Sequence, residues 1–168
     1  MNTIFTRRSI RRFENKPVEA EKLERIVKAG MQAPSAHNRQ PWEFLVITDE
    51  DAKKAAGKMT PYSGMAAHAG AVIIILMNKK TGDFENNLFI QQDLGACTEN
   101  VLLQIAEEGL GGCWIGTYPN ENNVRNVKEY FNLPDYIEPF SIIALGYSPD
   151  ENRFIDRYKP EKVHYNKW

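Results

Sequence analysis

A single domain of helices packed on a β-sheet is the fold class this chain predicts, and three patterns predict it. Leu23, Ile26, Val27 and Met31 recur at helical spacing, and two unbroken apolar runs, 71–77 and 141–145, have the length of buried strands. A third stretch, 86–108, carries Leu94, Cys97, Val101, Leu102 and Ile105 around much of a helix's girth, which in a small domain favours a helix at a subunit interface. A chain of 168 residues buries roughly 70% of its unfolded surface, enough for one core.

In order, the chain predicts a helix over 18–33, a strand over 44–48 and a short helix capped by Asp49. The apolar strand 71–77 and the long helix 86–108 come next. A buried strand around Cys113 follows, then a helix marked by Val124, Val127 and Phe131 and stopped by Pro134, and the strand 141–145. After Gly146 the periodicity dissolves. Phe154, Tyr158, Tyr165 and Trp168 are interleaved with charges there, so this extension either lies across another surface or packs on its own subunit. No repeat or linker divides the chain, and 1–168 reads as one domain.

With 42% apolar and 26% charged residues and a net charge of −1, the composition is that of an ordinary globular protein. No apolar run reaches the length of a membrane span. Met1-Asn2-Thr3-Ile4 is no signal sequence, so the expected location is cytoplasmic. Cys97 and Cys113 read as core thiols, and His37, His68 and His164 are scattered without metal-ligand spacing.

Three segments are richer in chemistry than a scaffold requires. Pro34-Ser35-Ala36-His37-Asn38-Arg39-Gln40-Pro41-Trp42 strings hydroxyl, imidazole, amide and guanidinium groups between two prolines, which stiffen both ends. It reads as a loop presenting polar groups to a flat ligand, or as a plain link with Trp42 as a core plug. Arg7-Arg8-Ser9-Ile10-Arg11-Arg12-Phe13 is a local basic cluster in a chain without overall basic excess. If helical, it puts Arg7/Arg11 and Arg8/Arg12 one turn apart. Guanidinium forks suit a phosphate; a solvated basic face and a nucleic-acid arm are the competing readings, the last disfavoured by the charge balance. Gly109-Leu110-Gly111-Gly112-Cys113-Trp114-Ile115-Gly116 holds four of the 11 glycines, either to end a helix ahead of a strand or to let backbone approach a ligand. It is neither a dinucleotide fingerprint nor a P-loop.

Taken in order with Gln92-Asp93-Leu94-Gly95-Ala96 and Ala144-Leu145-Gly146-Tyr147, these segments resemble the FMN-dependent nitroreductase family over almost the whole chain. The resemblance implies an α+β nitroreductase-like fold: a central mixed β-sheet flanked by helices, with the long central helix at a homodimer interface that holds FMN. By position it places Arg7, Arg8, Ser9, Arg11 and Arg157 on the phosphate and flavin edge. Pro34, Ser35, Ala36 and Asn38 fall on the loop reaching the other subunit's flavin, and Trp114, Ile115, Gly116 and Thr117 on the segment whose backbone faces the ring near N5. Ala36 stands where family loops often carry a second Ser, and 116–119 lacks the acidic residue and Gly of larger members. Residues 147–168 are expected to pack across the dimer.

The implied activity takes electrons from NADH or NADPH through FMN to a nitroaromatic, quinone or related small electrophile, by ping-pong kinetics. Reductive dehalogenation, enoate reduction and a non-catalytic FMN carrier are the alternatives. No residue is assigned as acid or base. Arg11 is the candidate for stabilising negative charge on the reduced ring, and no metal, nucleic acid or membrane partner is expected.

Overall fold

The computed structural model describes residues 2–168; Met1, the first residue of the expected 1–168 domain and of its non-signal N-terminus, lies outside them. The helices are α1 (Thr3–Thr6), α2 (Ala20–Gly30), α3 (Glu50–Ala56), α4 (Ile90–Glu107) and α5 (Glu121–Tyr130). The strands are β1 (Trp42–Ile47), β2 (Ala71–Asn78), β3 (Gly111–Gly116) and β4 (Ile137–Gly146). The class is α+β, as expected. All three strand pairings in the order β1-β2-β4-β3 are antiparallel, so the expected mixed sheet is corrected: its parallel component is one bridge, Ser9 to Gly112.

β2 and β4 are the central strands, which is why they read as unbroken apolar runs. Alternate residues point to opposite faces. Ile73, Ile75, Met77, Ile143 and Leu145 meet α2 and α4, while Val72, Ile74, Leu76, Ile142 and Ala144 meet the layer of α3 and α5. The sheet is thus the middle of three layers. α4 buries Leu94, Cys97, Val101, Leu102 and Ile105, and both thiols are core groups. Burial pushes the Cys97 thiol up to about 12.

Boundaries differ where local pattern and tertiary contact disagree. The expected helix 86–108 begins at Ile90, because the Asn87 side chain and the Asp83 backbone turn the preceding residues: Phe89 N–H donates to Asn87 Oδ1 at 3.0 Å and Asn87 N–H to the Asp83 carbonyl at 2.8 Å. It ends on Gly109 at φ 73, with Leu110 N–H bonded to the Ile105 carbonyl. Asp49 caps α3 as expected, accepting from Ala52 N–H at 2.9 Å. The arginine cluster is not helical: α1 stops at Thr6, and Ile10 is drawn into the core as an extended residue.

The back of the domain is tied by Arg25, whose guanidinium forks onto Glu108 at 2.8 and 2.7 Å. That fork first, and then Gln104 against the opposing effect of burial, holds the Glu108 carboxyl at about 2. A lowered folded value stabilises the native state above the usual carboxylate range and is lost as pH falls through it. Glu108→Gln should therefore lower the melting temperature at pH 7, and its difference from wild type should close between about pH 4.5 and 2. Calorimetric scans across that window check it.

Candidate functional site

β3 is a sheet edge whose outer side is only partly covered. Ile10 N–H donates to the outward carbonyl of Gly112 at 3.0 Å. Because outward and inward backbone groups alternate along an antiparallel strand, Trp114 and Gly116 turn their N–H and C=O groups to the same edge. Among the described residues, no further strand pairs there. The Trp114 side chain is 37% exposed; it lies at van der Waals distance from the Cβ position of Gly95 and 5.9 Å from Phe140 between ring centres.

Two observations single out the end of this strand. A Cβ at Gly116 would meet nothing within 4 Å, so no internal contact requires glycine. Thr117 is 1% exposed, yet among the described residues its hydroxyl oxygen has no hydrogen-bond partner, a state that costs about 1–3 kcal/mol unless a ligand or water relieves it. Ile115, by contrast, is buried in the core between these residues.

The arginines of the N-terminal arm differ in their partners. Arg7 pairs with Glu99 at 3.2 Å and Arg11 donates to the Ser9 carbonyl at 3.3 Å. Arg8 donates to the carbonyls of Phe5 at 2.9 Å and of Arg7, while Arg12 pairs with Asp150. Arg12 thus ties down the root of the tail. Asn152 completes that tie, accepting from Arg8 N–H at 2.9 Å and donating to the Leu110 carbonyl at 3.0 Å.

Arg7, Arg8 and Arg157 line one cleft of about 400 Å³ between α1 and the tail. The Arg8 guanidinium lies below its usual range, first through burial and then through the like charges of Arg157, Arg7 and Arg153; its Nε has no partner. Glu99 and Asp156 line the same cleft, so three guanidiniums meet two carboxylates, and the one positive charge in excess, with its guanidinium donors, suits an anion with several oxygens.

The loop before β1 lies elsewhere. β1 and β3 are opposite edges of the sheet, about 14 Å apart at three strand spacings, so one chain does not bring Ser35 and Asn38 to Ser9 and Gly116. Within the loop, Ser35 Oγ accepts from Gln40 N–H at 2.9 Å, and Asn38 Oδ1 accepts from Gln40 Nε2 at 2.9 Å. Pro34 is exposed at the loop's start. Ala36 donates its N–H to Asp93, so that group serves the loop itself. Glu99 and Asn152 carry no local signal in the sequence, and Asp93 stands out there only as a member of the 92–96 segment, without a role; the fold brings all three to the arm and loop.

Comparisons with known proteins converge on one family. The profile of the nitroreductase family matches residues 4–60 and 56–147. A protein of Archaeoglobus fulgidus, provisionally named NADH dehydrogenase/NAD(P)H nitroreductase, is 36% identical over all of this chain and 98% of its own length. Among solved structures, a provisionally named NADH oxidase of Clostridium acetobutylicum superposes with a TM-score of 0.94 at 40% identity over 99% of each chain. An FMN-dependent nitroreductase of Clostridium difficile R20291 gives 0.89 at 27% identity, also over 99% of each chain.

Were the cleft of Arg7, Arg8 and Arg157 to take the phosphate of FMN, Arg7→Ala would weaken FMN binding about 10- to 100-fold and riboflavin binding little, through loss of a charged hydrogen bond worth about 1.5–3 kcal/mol. Arg12→Ala would change FMN affinity far less, because Arg12 is held by Asp150 and does not line that cleft. Flavin fluorescence titrations of both variants check it.

Proposed function

The chain belongs to the nitroreductase family, and from that premise we propose that it is an FMN-dependent oxidoreductase, passing electrons from NADH or NADPH to a nitroaromatic, quinone or related small electrophile. The observation that carries this reading is the unfinished edge of β3. Gly116 opens onto space, the Thr117 hydroxyl is unpaired, and the backbone of Trp114 and Gly116 turns outward beside a cationic arm. FMN, when bound, supplies the two-electron chemistry, and no acid, base or nucleophile of the chain is required for it.

The chain's own residues bind and orient. Arg7, Arg8, Ser9 and Arg157 would hold the phosphate, with Arg7 exchanging Glu99 for it or sharing itself between the two. The backbone at 114–117 would donate to the ring edge, and Arg11, tethered only through one nitrogen to Ser9, keeps donors free to stabilise negative charge. Pro34, Ser35, Ala36 and Asn38 would reach a second subunit's ring, since the sheet order keeps them from the ring bound at their own β3. Ser35 and Asn38 retain an unused hydroxyl proton and amide donors for that contact.

A homodimer with two shared sites follows from this reading. The exposed apolar side chains support it: Ile4 and Phe5 on α1, Leu88 and Phe89 before α4, and Phe154 and Trp168 on the extension. The segment 147–168 is anchored to its own subunit as far as Asn152, beyond which its aromatic residues lie open, and we assign its packing to the partner. No helix among the described residues is long and apolar enough to cross a membrane.

Purified protein should be yellow, release FMN and not FAD on denaturation, and sediment as a dimer. Without oxygen, NADH or NADPH should bleach it and an acceptor recolour it, with parallel double-reciprocal lines in steady state; a flavin that ignores both nucleotides would make the chain a carrier. Gly116→Val is the sharper probe of the edge. Its side chain meets open space within the chain, so the melting temperature should hold while FMN affinity drops about 10-fold or more.

A further inference from the structure

Asp93 is a carboxylate in the first turn of α4, 5% exposed, and it does not serve its own helix. The residue before the helix, Phe89, has no side-chain cap, and the bonds of Asp93 go elsewhere. Its Oδ1 accepts from Ala36 N–H at 2.9 Å, and its Oδ2 accepts from Asn87 Nδ2 at 3.4 Å. Asn87, also buried, donates its own N–H to the Asp83 carbonyl at 2.8 Å, and the Asp83 carboxylate pairs with Arg39 at 2.9 Å. The path returns to the loop three residues after it left, so that Ala36 and Arg39 bracket His37 and Asn38.

Those bracketed residues need holding. His37 and Asn38 have φ of 53° and 54°, and Gln40, just beyond Arg39, has 49°, the left-handed region that non-glycine residues enter under strain. The loop's internal bonds consume the Ser35 oxygen and the Asn38 carbonyl on Gln40, and the clamp consumes Ala36 N–H. The Ser35 hydroxyl proton and the Asn38 amide donors are left for a ligand.

We propose that Asp93 is a positioning residue for the flavin ring. Through Ala36, and through Asn87, Asp83 and Arg39, it locks the strained loop so that Ser35 and Asn38 aim their donors at the ring of the partner subunit. The inference rests on the FMN reading above, and it assigns a role to the acidic group of the 92–96 motif that touches neither substrate nor flavin.

Two measurements test it. In flavin-free protein, hydrogen exchange at Ala36 should quicken about 10-fold or more in Asp93→Ala and stay within about threefold in Asp93→Asn, which keeps an acceptor oxygen. In titrations, Asp93→Ala should weaken FMN and riboflavin by the same factor, about 10-fold, because the clamp acts at the ring and not at the phosphate. Adding Asn38→Ala to Asp93→Ala should cost little more, whereas adding Arg7→Ala should multiply the loss for FMN. Asp83→Asn, at the far end of the path, gives the same test should Asp93→Ala fail to fold. Unchanged exchange at Ala36, full additivity with Asn38→Ala, or an Asp93→Asn protein as weak as Asp93→Ala would overturn the clamp even where wild type binds FMN. A wild-type chain that binds neither flavin would instead overturn the FMN reading and the ring role with it.

Discussion

The short parallel bridge between the N-terminal arm and β3 is the constraint on which the site depends. Ile10 N–H bonds to the Gly112 carbonyl and the Ile10 side chain enters the core beside Gly111, where a Cβ would lie 2.5 Å from it. Glycine is needed there for close approach, not for a turn. Once Ile10 is seated, the arm is held beside β3 and its arginines meet fixed partners: Arg7 meets Glu99, Arg8 the carbonyls of Phe5 and Arg7, and Arg12 Asp150. The bridge also stops after one residue, which leaves the backbone of Trp114 and Gly116 open. Closing the edge for longer would satisfy more backbone groups and remove the site.

The same arm anchors the extension. Asn152 joins Arg8 to Leu110, and Arg12 holds Asp150, so the root of the tail, the arginines and the end of α4 form one polar assembly. Like charge accumulates in it: after burial, the neighbouring charges of Arg157, Arg7 and Arg153 each lower Arg8 further. Repulsion of this kind is tolerated where an anion later offsets it.

The loop before β1 lies at the opposite edge of the sheet from β3. α4 crosses behind the sheet and touches both halves, meeting the strained loop through Asp93 and the arginine arm through Glu99. Its polar residues therefore couple two surfaces that one chain cannot bring together. A second copy related by symmetry can do so, with each edge completing the other.

Periodicity alone determined the central strands, α2, the burial of α4 and the helix end at Gly109, because those depend on apolar spacing and on a glycine free to take positive φ. The composition of three segments raised an anion and a flat ligand as candidate chemistry beside a solvated basic face and a plain link. Sequence could not tell that the arginine cluster is extended and not helical, since its own spacing permits both; the pull of Ile10 into the core decided it. Nor could it tell that α4 starts at Ile90, that the sheet pairs antiparallel throughout, or that Asp93 faces a loop more than fifty positions away. Those outcomes depend on contacts between residues far apart in the chain, and only the packed fold sets such contacts, because a side chain's partner is chosen by what tertiary burial places beside it.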